Sequence, residues 1–253
     1  MIDVERLARD LDAALLAREE IAPLRKTYGD FDLETAYRVQ ERGIALRLSR
    51  GEKIVGYKMG LTSAAKRAQM NLDAPIYGVL TDAMRAGREL RVAEGVHPKI
   101  EPEIAFVTSR ELRGKISRAE ALAACSGVAA ALEVLDSRFV GFKYFSLPDV
   151  VADNCSSWRF VLGPVSPPLD TGGLRMRMLV DGRVVQEADS NSISGHPLES
   201  LMQLAAMLDA HGRSLPAGSI VLAGAATVAE PLRPGIEVSL EVDALRAVRI
   251  RAV

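Results

Sequence analysis

Hydrophobic and polar positions along the first fifty residues recur with a helical period. Val4, Leu7, Leu11 and Leu15 lie on one helix face, with Asp3 placed to cap it. A second helix is predicted from Asp32, carrying Leu33, Ala36, Tyr37, Ile44 and Leu46 and stopping before Gly51. The period then changes. Lys53–Gly60 reads as a strand, and Thr62 or Ser63 can cap a short helix through Met70. Ile100–Val107 and Ala130–Leu135 are strand-like, separated by a helix from the capping box Ser117-Arg118-Ala119-Glu120 to about Cys125. The last hundred residues are mostly strand: Ser157–Leu162, Leu174–Val180, Arg183–Glu187, Ile220–Leu222, Ile236–Val242 and Ala247–Ala252. Asp181-Gly182 marks a hairpin turn, and one helix from Pro197 to about Ala210 buries Leu201, Leu204, Ala205 and Leu208. These late strands follow one another too closely for helical crossovers, so antiparallel pairing should dominate. The expected fold is α+β, with a helical segment over residues 1–52 packed on a β-rich domain over 53–253.

Within this pattern, Ile100, Ile104 and Phe106 point to one face of their strand, and Glu101 and Glu103 point to the other. Two carboxylates facing the same way in an apolar strand repel and resist desolvation unless one is protonated or a cation lies between them. A third acid, Glu133, interrupts another apolar strand. Three such groups would give Mg²⁺ or Mn²⁺ a half-shell and leave positions for water and a chelating substrate. The other reading is a solvated sheet face. Pro102 between the two acids confines the strand to an edge or to a break in its ladder.

Lys58 lies in an apolar strand just before a helix start and is either a charge-balancing, proton-transferring group or a surface lysine. Asp153-Asn154-Cys155-Ser156 is a polar cluster before a strand, either a plain turn or a substrate-binding loop. His196 either orients a ligand or caps the helix that follows. Cys155 has no activating partner in the sequence, and no G-x-S-x-G elbow supports a serine hydrolase.

Composition narrows the class. The chain has 253 residues, 48% hydrophobic, with 32 basic against 33 acidic side chains, so nothing favours nucleic acid or an anionic membrane as partner. No apolar run reaches the ~20 residues that span a bilayer. The first residues lack the form of a signal peptide, and the two cysteines have no zinc or redox spacing, so a cytoplasmic protein is expected.

Several ordered motifs together resemble a known family. Lys53-Ile54-Val55-Gly56-Tyr57-Lys58-Met59-Gly60-Leu61-Thr62-Ser63, Gln69-Met70, Pro75-Ile76-Tyr77-Gly78, His97-Pro98-Lys99-Ile100-Glu101-Pro102-Glu103, Glu133-Val134-Leu135-Asp136-Ser137-Arg138, Val151-Ala152-Asp153-Asn154 and Gly195-His196-Pro197-Leu198 are similar to the 4-oxalocrotonate decarboxylases and 2-oxopent-4-enoate hydratases of the fumarylacetoacetate hydrolase superfamily. The resemblance runs from about residue 30 to the C-terminus. It implies a mixed, largely antiparallel β-roll or barrel, a divalent metal on Glu101, Glu103 and Glu133, and an active-site lysine at Lys58. Ser63, Leu72, Asp153, Ser156, Arg159 and His196 are the expected substrate-binding positions, with Arg159 either meeting a second carboxylate or standing as an exposed strand arginine. The implied activity is a carbon–carbon lyase: metal-dependent decarboxylation of 2-oxohex-3-enedioate to 2-hydroxypenta-2,4-dienoate and CO₂ in aromatic meta-cleavage catabolism. The alternatives are a hydratase acting on the dienol, or a catalytically weak subunit that stabilises a related enzyme. A homo-oligomer, with possible association with a related hydratase or decarboxylase, is expected.

Overall fold

The computed structural model describes residues 2–62, 75–143 and 146–253. Helix α1 spans Val4–Ala17, and the Asp3 carboxylate accepts the Arg6 N–H at 3.0 Å, closing its first turn. A short α2 (Leu24–Tyr28) leads to α3 (Leu33–Ser49), capped by Asp32 accepting from Thr35 N–H at 2.8 Å. The buried stripe of α3 differs from the predicted one. Leu33 is 37% exposed, whereas Ala36, Tyr37, Gln40, Ile44 and Arg47 are buried. Gln40 tolerates burial because its amide donates to the carbonyls of Tyr77 and Val151 at 3.0 and 3.1 Å.

Twelve strands form two sheets among the described residues. In the larger sheet the order is β2 (Ile76–Thr81), β1 (Ile54–Gly60), β9 (Ile220–Ala225), β4 (Lys99–Thr108), β5 (Cys125–Leu135) and β6 (Ser157–Leu162), with β10 (Glu230–Pro231) added on β4. The smaller runs β3 (Glu89–Leu90), β12 (Val248–Ala252), β11 (Glu237–Val242), β7 (Arg175–Val180), β8 (Arg183–Asp189). All pairings are antiparallel except β1 with β9 and β12 with β3, the mixed, antiparallel-rich arrangement expected. The β7–β8 hairpin turns on Asp181-Gly182, with φ of 48° and 76°, the left-handed pair that a two-residue turn requires.

The larger sheet curls on itself. Just after β2, Arg85 bridges Phe160 of β6, and Ala86 N–H donates to the Phe160 carbonyl at 2.9 Å. Curling creates an inner apolar face of Leu80, Met84, Ala105, Ala131, Phe160 and Leu222. The opposite face, with Ile104, Phe106, Leu132 and Val134, joins the helices and the smaller sheet in the main core. Alternation along β4 therefore separates two buried environments rather than core from solvent.

Three further α-helices follow among the described residues: α4 (Arg118–Ala123), α5 (Leu147–Ala152) and α6 (Pro197–Ala210). The capping box at Ser117 and Glu120 is formed. Helix α6 buries Leu201, Leu204, Ala205 and Leu208, as its spacing predicts. No helix among the described residues is long and apolar enough to cross a membrane. Phe106 is fully buried between the layers. Replacing it with Ala should destabilise the fold by about 3–5 kcal/mol, read as a lowered denaturant midpoint with an unchanged slope.

Candidate active site

Strand register places the acids. Glu101 and Glu103 share a face by alternation, and Glu133 of β5 stands directly across from Glu101. One carboxylate oxygen of each lies within 4.8 Å of the other two. Glu103 is 0% exposed and Glu133 1%, which rules out the solvated-face reading for both. Pro102 marks a break in the ladder, though its strand is not an edge. β4 is hydrogen-bonded to β10 at Lys99 and Ile100, then to β9 from Glu103 onward. The Pro102 carbonyl accepts from Ala226 N–H at 3.0 Å, so the missing N–H faces the point where β4 changes partners.

Strand β1 brings Lys58 to the same face, 4% exposed, with Nζ 3.0 Å from Glu133 Oε2. Burial by itself would lower the lysine's pKa. The negative charge of Glu133, with Glu101 and Glu103 beyond it, outweighs that and holds the ammonium above its ordinary value. Glu103 is shifted upward as well. Burial first, then the charge of Glu133, pushes it well above the usual range, against the pull of Lys58 and one backbone N–H. That N–H belongs to Gly224, 2.7 Å from Glu103 Oε2. Gly224 has φ of 109°, and a Cβ there would come within 2.5 Å of the Thr62 side chain, so only glycine can present this donor.

Each buried acid uses one oxygen, and the second oxygens of Glu103 and Glu133 have no hydrogen-bond partner. Buried carboxylate oxygens without partners are costly. A hard divalent cation accepts oxygen ligands of this kind, and Glu101, Glu103 and Glu133 would hold Mg²⁺ or Mn²⁺. Beside the acids is a cavity of about 230 Å³, lined in part by Lys58, Glu101, Thr62, Lys99, Phe142 and Cys155.

The turn that carries Cys155 is strained. Asn154, Cys155 and Ser156 have φ of 46°, 53° and 57°, three consecutive left-handed residues without a glycine. The Asn154 side chain fixes this turn by accepting from Val79 N–H at 2.8 Å and donating to the Val79 carbonyl at 2.9 Å. Burial pushes the Cys155 thiol up to about 12, so the cavity wall carries a neutral thiol there rather than a nucleophile.

Other predicted positions are not gathered at the cavity. Asp153 is buried against Arg138, which donates to it from both its side chain and its backbone N–H. Ser156 is fully buried, and its carbonyl accepts from Asp136 N–H at 2.9 Å. His196 caps α6. Its Nδ1 accepts from Leu198 N–H at 3.1 Å, and Nε2 is 2.8 Å from Asp170 Oδ1, so both ring nitrogens are engaged. Arg159 pairs in register with Val134, the neighbour of Glu133 that faces the main core. Its guanidinium lies over the Trp158 ring and 3.8 Å from Glu94, on the face away from the acids. Ser63, Leu72 and the helix predicted through Met70 lie outside the described residues. Lys99 and Phe142, both at the cavity, were not among the expected site residues. The phase of β4 places Lys99 on the face of Glu101 and Glu103, a signal available from spacing alone.

The family described as fumarylacetoacetate (FAA) hydrolase C-terminal matches residues 53–252. The chain belongs to this family. It is 44% identical over 247 residues to a 4-oxalocrotonate decarboxylase from a Pseudomonas species, covering 96% of this chain and 95% of that one. A 2-keto-4-pentenoate hydratase of Paraburkholderia xenovorans is 34% identical over 251 residues, covering 97% and 93%. Among solved structures, 4-oxalocrotonate decarboxylase from Pseudomonas putida G7 complexed with magnesium and adipate superposes with a TM-score of 0.95. Its identity is 36%, over 99% of this chain and 97% of that one.

A cation that binds only the folded acids must stabilise the fold, by about 2.7 kcal/mol at a hundredfold excess over its Kd. Adding Mg²⁺ should raise the melting temperature and a chelator should reverse the rise. Glu103→Gln should abolish the Mg²⁺-dependent increment while the protein still folds.

Proposed function

We propose that this protein is a metal-dependent carbon–carbon lyase that decarboxylates 2-oxohex-3-enedioate (4-oxalocrotonate) to 2-hydroxypenta-2,4-dienoate and CO₂. The observation that carries this reading is the buried set of Glu101, Glu103, Glu133 and Lys58 at one cavity. It occurs in a chain whose relatives include 4-oxalocrotonate decarboxylases, one of them solved with magnesium and a six-carbon diacid. Bound Mg²⁺ or Mn²⁺ would supply positive charge to the 1-carboxylate and 2-oxo oxygen of the substrate. When the C5–C6 bond breaks, its electron pair forms the C4–C5 double bond. The C3–C4 double bond shifts to C2–C3, and negative charge grows on the 2-oxygen. Lys58 is protonated and held by Glu133, so it can give that oxygen a hydrogen bond or its proton as the enol forms. Glu133 thereby orients Lys58. The apolar inner face beyond the acids excludes water and strengthens each of these interactions.

Asp153, Ser156 and His196 act from behind the cavity in this reading: Asp153 and Ser156 brace the left-handed turn, and His196 fixes the start of α6. A hydratase acting on the dienol would use the same acids and lysine, and the 34% identity to a hydratase makes it the second reading. A supporting subunit is the weakest reading, because Lys58 and all three acids are intact and assembled. We further infer a cytoplasmic homo-oligomer, supported by two free buried cysteines and by the edge strand β8, where Val184 and Val185 are about half exposed. Association with a hydratase would suit the dienol product, which tautomerises in water.

Purified protein with Mg²⁺ should release CO₂ from 2-oxohex-3-enedioate and stop when chelator is added. Formation of 4-hydroxy-2-oxopentanoate from the dienoate without CO₂ release would establish the hydratase instead. Lys58→Met should lower kcat by about 10²–10⁴-fold, with the Mg²⁺-dependent rise in melting temperature retained.

A further inference from the structure

Among the described residues lining the cavity, the charged side chains are Lys58, Lys99 and Glu101. Lys58 is committed to Glu133 at 3.0 Å and is buried. Lys99 is different. It is half-buried at the start of β4, and no described carboxylate stands within ion-pair distance of its ammonium. The ammonium is held instead over the face of the Phe142 ring, 4.1 Å from its centroid. An aromatic face orients a cation without neutralising it, so the charge stays available to an anion in the cavity.

Position along the strand fixes where that anion would lie. Lys99 precedes Glu101 by two residues on the same face, about 7 Å along a strand. An extended six-carbon diacid has a similar span between its two carboxyl groups. A substrate with its 2-oxo acid end at Glu101, Glu103 and Glu133 can thus extend its far end along β4 toward Lys99, which lines the same cavity as Glu101. We propose that Lys99 recognises the distal carboxylate of the substrate and sets the preference for a diacid over a monoacid. The proposal rests on the 2-oxo acid reading of the site given above. It moves the specificity role expected of Arg159 to Lys99, since Arg159 faces away from the acids.

The test is calorimetric binding, with Mg²⁺ present, of two unreactive ligands of equal length: 2-oxohexanedioate and 2-oxohexanoate. They differ only in the terminal carboxylate. The wild-type protein should bind the diacid about tenfold or more tightly, the scale of one charge-assisted hydrogen bond. Lys99→Met keeps the apolar stem and removes the charge. It should erase that preference while binding 2-oxohexanoate within about twofold of wild type, and Lys99→Arg should keep the preference. A preference that survives in Lys99→Met overturns the assignment, as does an equal loss of both ligands in that variant. Wild-type protein that binds both ligands equally also overturns it and leaves the 2-oxo acid site standing. Wild-type protein that binds neither overturns both readings.

Discussion

Like-charged carboxylates in a dry interior are the constraint around which this structure is arranged. Glu103 and Glu133 are wholly buried, Glu101 stands beside them, and one ammonium and one backbone N–H are the partners that face the two buried acids. Lys58 covers one oxygen of Glu133 and Gly224 covers one of Glu103, leaving an oxygen on each with nothing to bind. A core assembled for stability alone would not keep such groups, because apolar residues of similar volume would serve it better. The surroundings hold the cluster in place at further cost. A proline breaks the β4 ladder beside the acids, and a glycine at φ of 109° turns its N–H inward. Three consecutive left-handed residues press Cys155 against the cavity wall. Departures from local preference concentrate within a few residues of one cavity, which is where a functional site is expected to store them.

How much of this could be read in the sequence follows from which contacts are local. The pairing of Glu101 with Glu103 is a matter of period two and was visible, as were the Asp3 and Asp32 caps, the Ser117 capping box and the α6 stripe. The meeting of Glu133 with Glu101 is cross-strand, and that of Lys58 with Glu133 spans 75 residues. Periodicity cannot supply either: the apolar setting of Glu133 marks it as a third acid, the resemblance implies one metal on the three acids with Lys58 in the active site, and only the fold shows the two contacts. Arg159 shows the limit of strand phase taken alone. Its face depends on the β5–β6 register, which sets Phe160 rather than Arg159 across from Glu133. The solvated-face reading of β4 failed for a related reason. Alternation reports two environments, and only the curl of the sheet reveals that both are inside. His196 has two readings: its Nδ1 makes the capping bond with Leu198 N–H, and its Nε2 is held by the Asp170 carboxylate.

Decarboxylase and hydratase relatives share the chemistry at the 2-oxo end, since both reactions run through a dienol with charge on the 2-oxygen. That commonality would let the constellation of three acids and a lysine found here serve either reaction. What separates the reactions must lie at the far end of the chain, where one substrate carries a carboxylate and the other does not. The arrangement at that end is governed by differential binding. The distal carboxylate leaves as neutral CO₂, so its charge fades as the transition state is approached. A buried, bidentate arginine would hold the ground state more strongly than the transition state and raise the barrier. A half-solvated lysine, already resting on an aromatic ring, selects for the charge while losing less as it disappears. The absence of Arg159 from the cavity and the placement of Lys99 at its edge are thus the arrangement that decarboxylation favours: strong, desolvated charge where negative charge grows, and weak, hydrated charge where it vanishes.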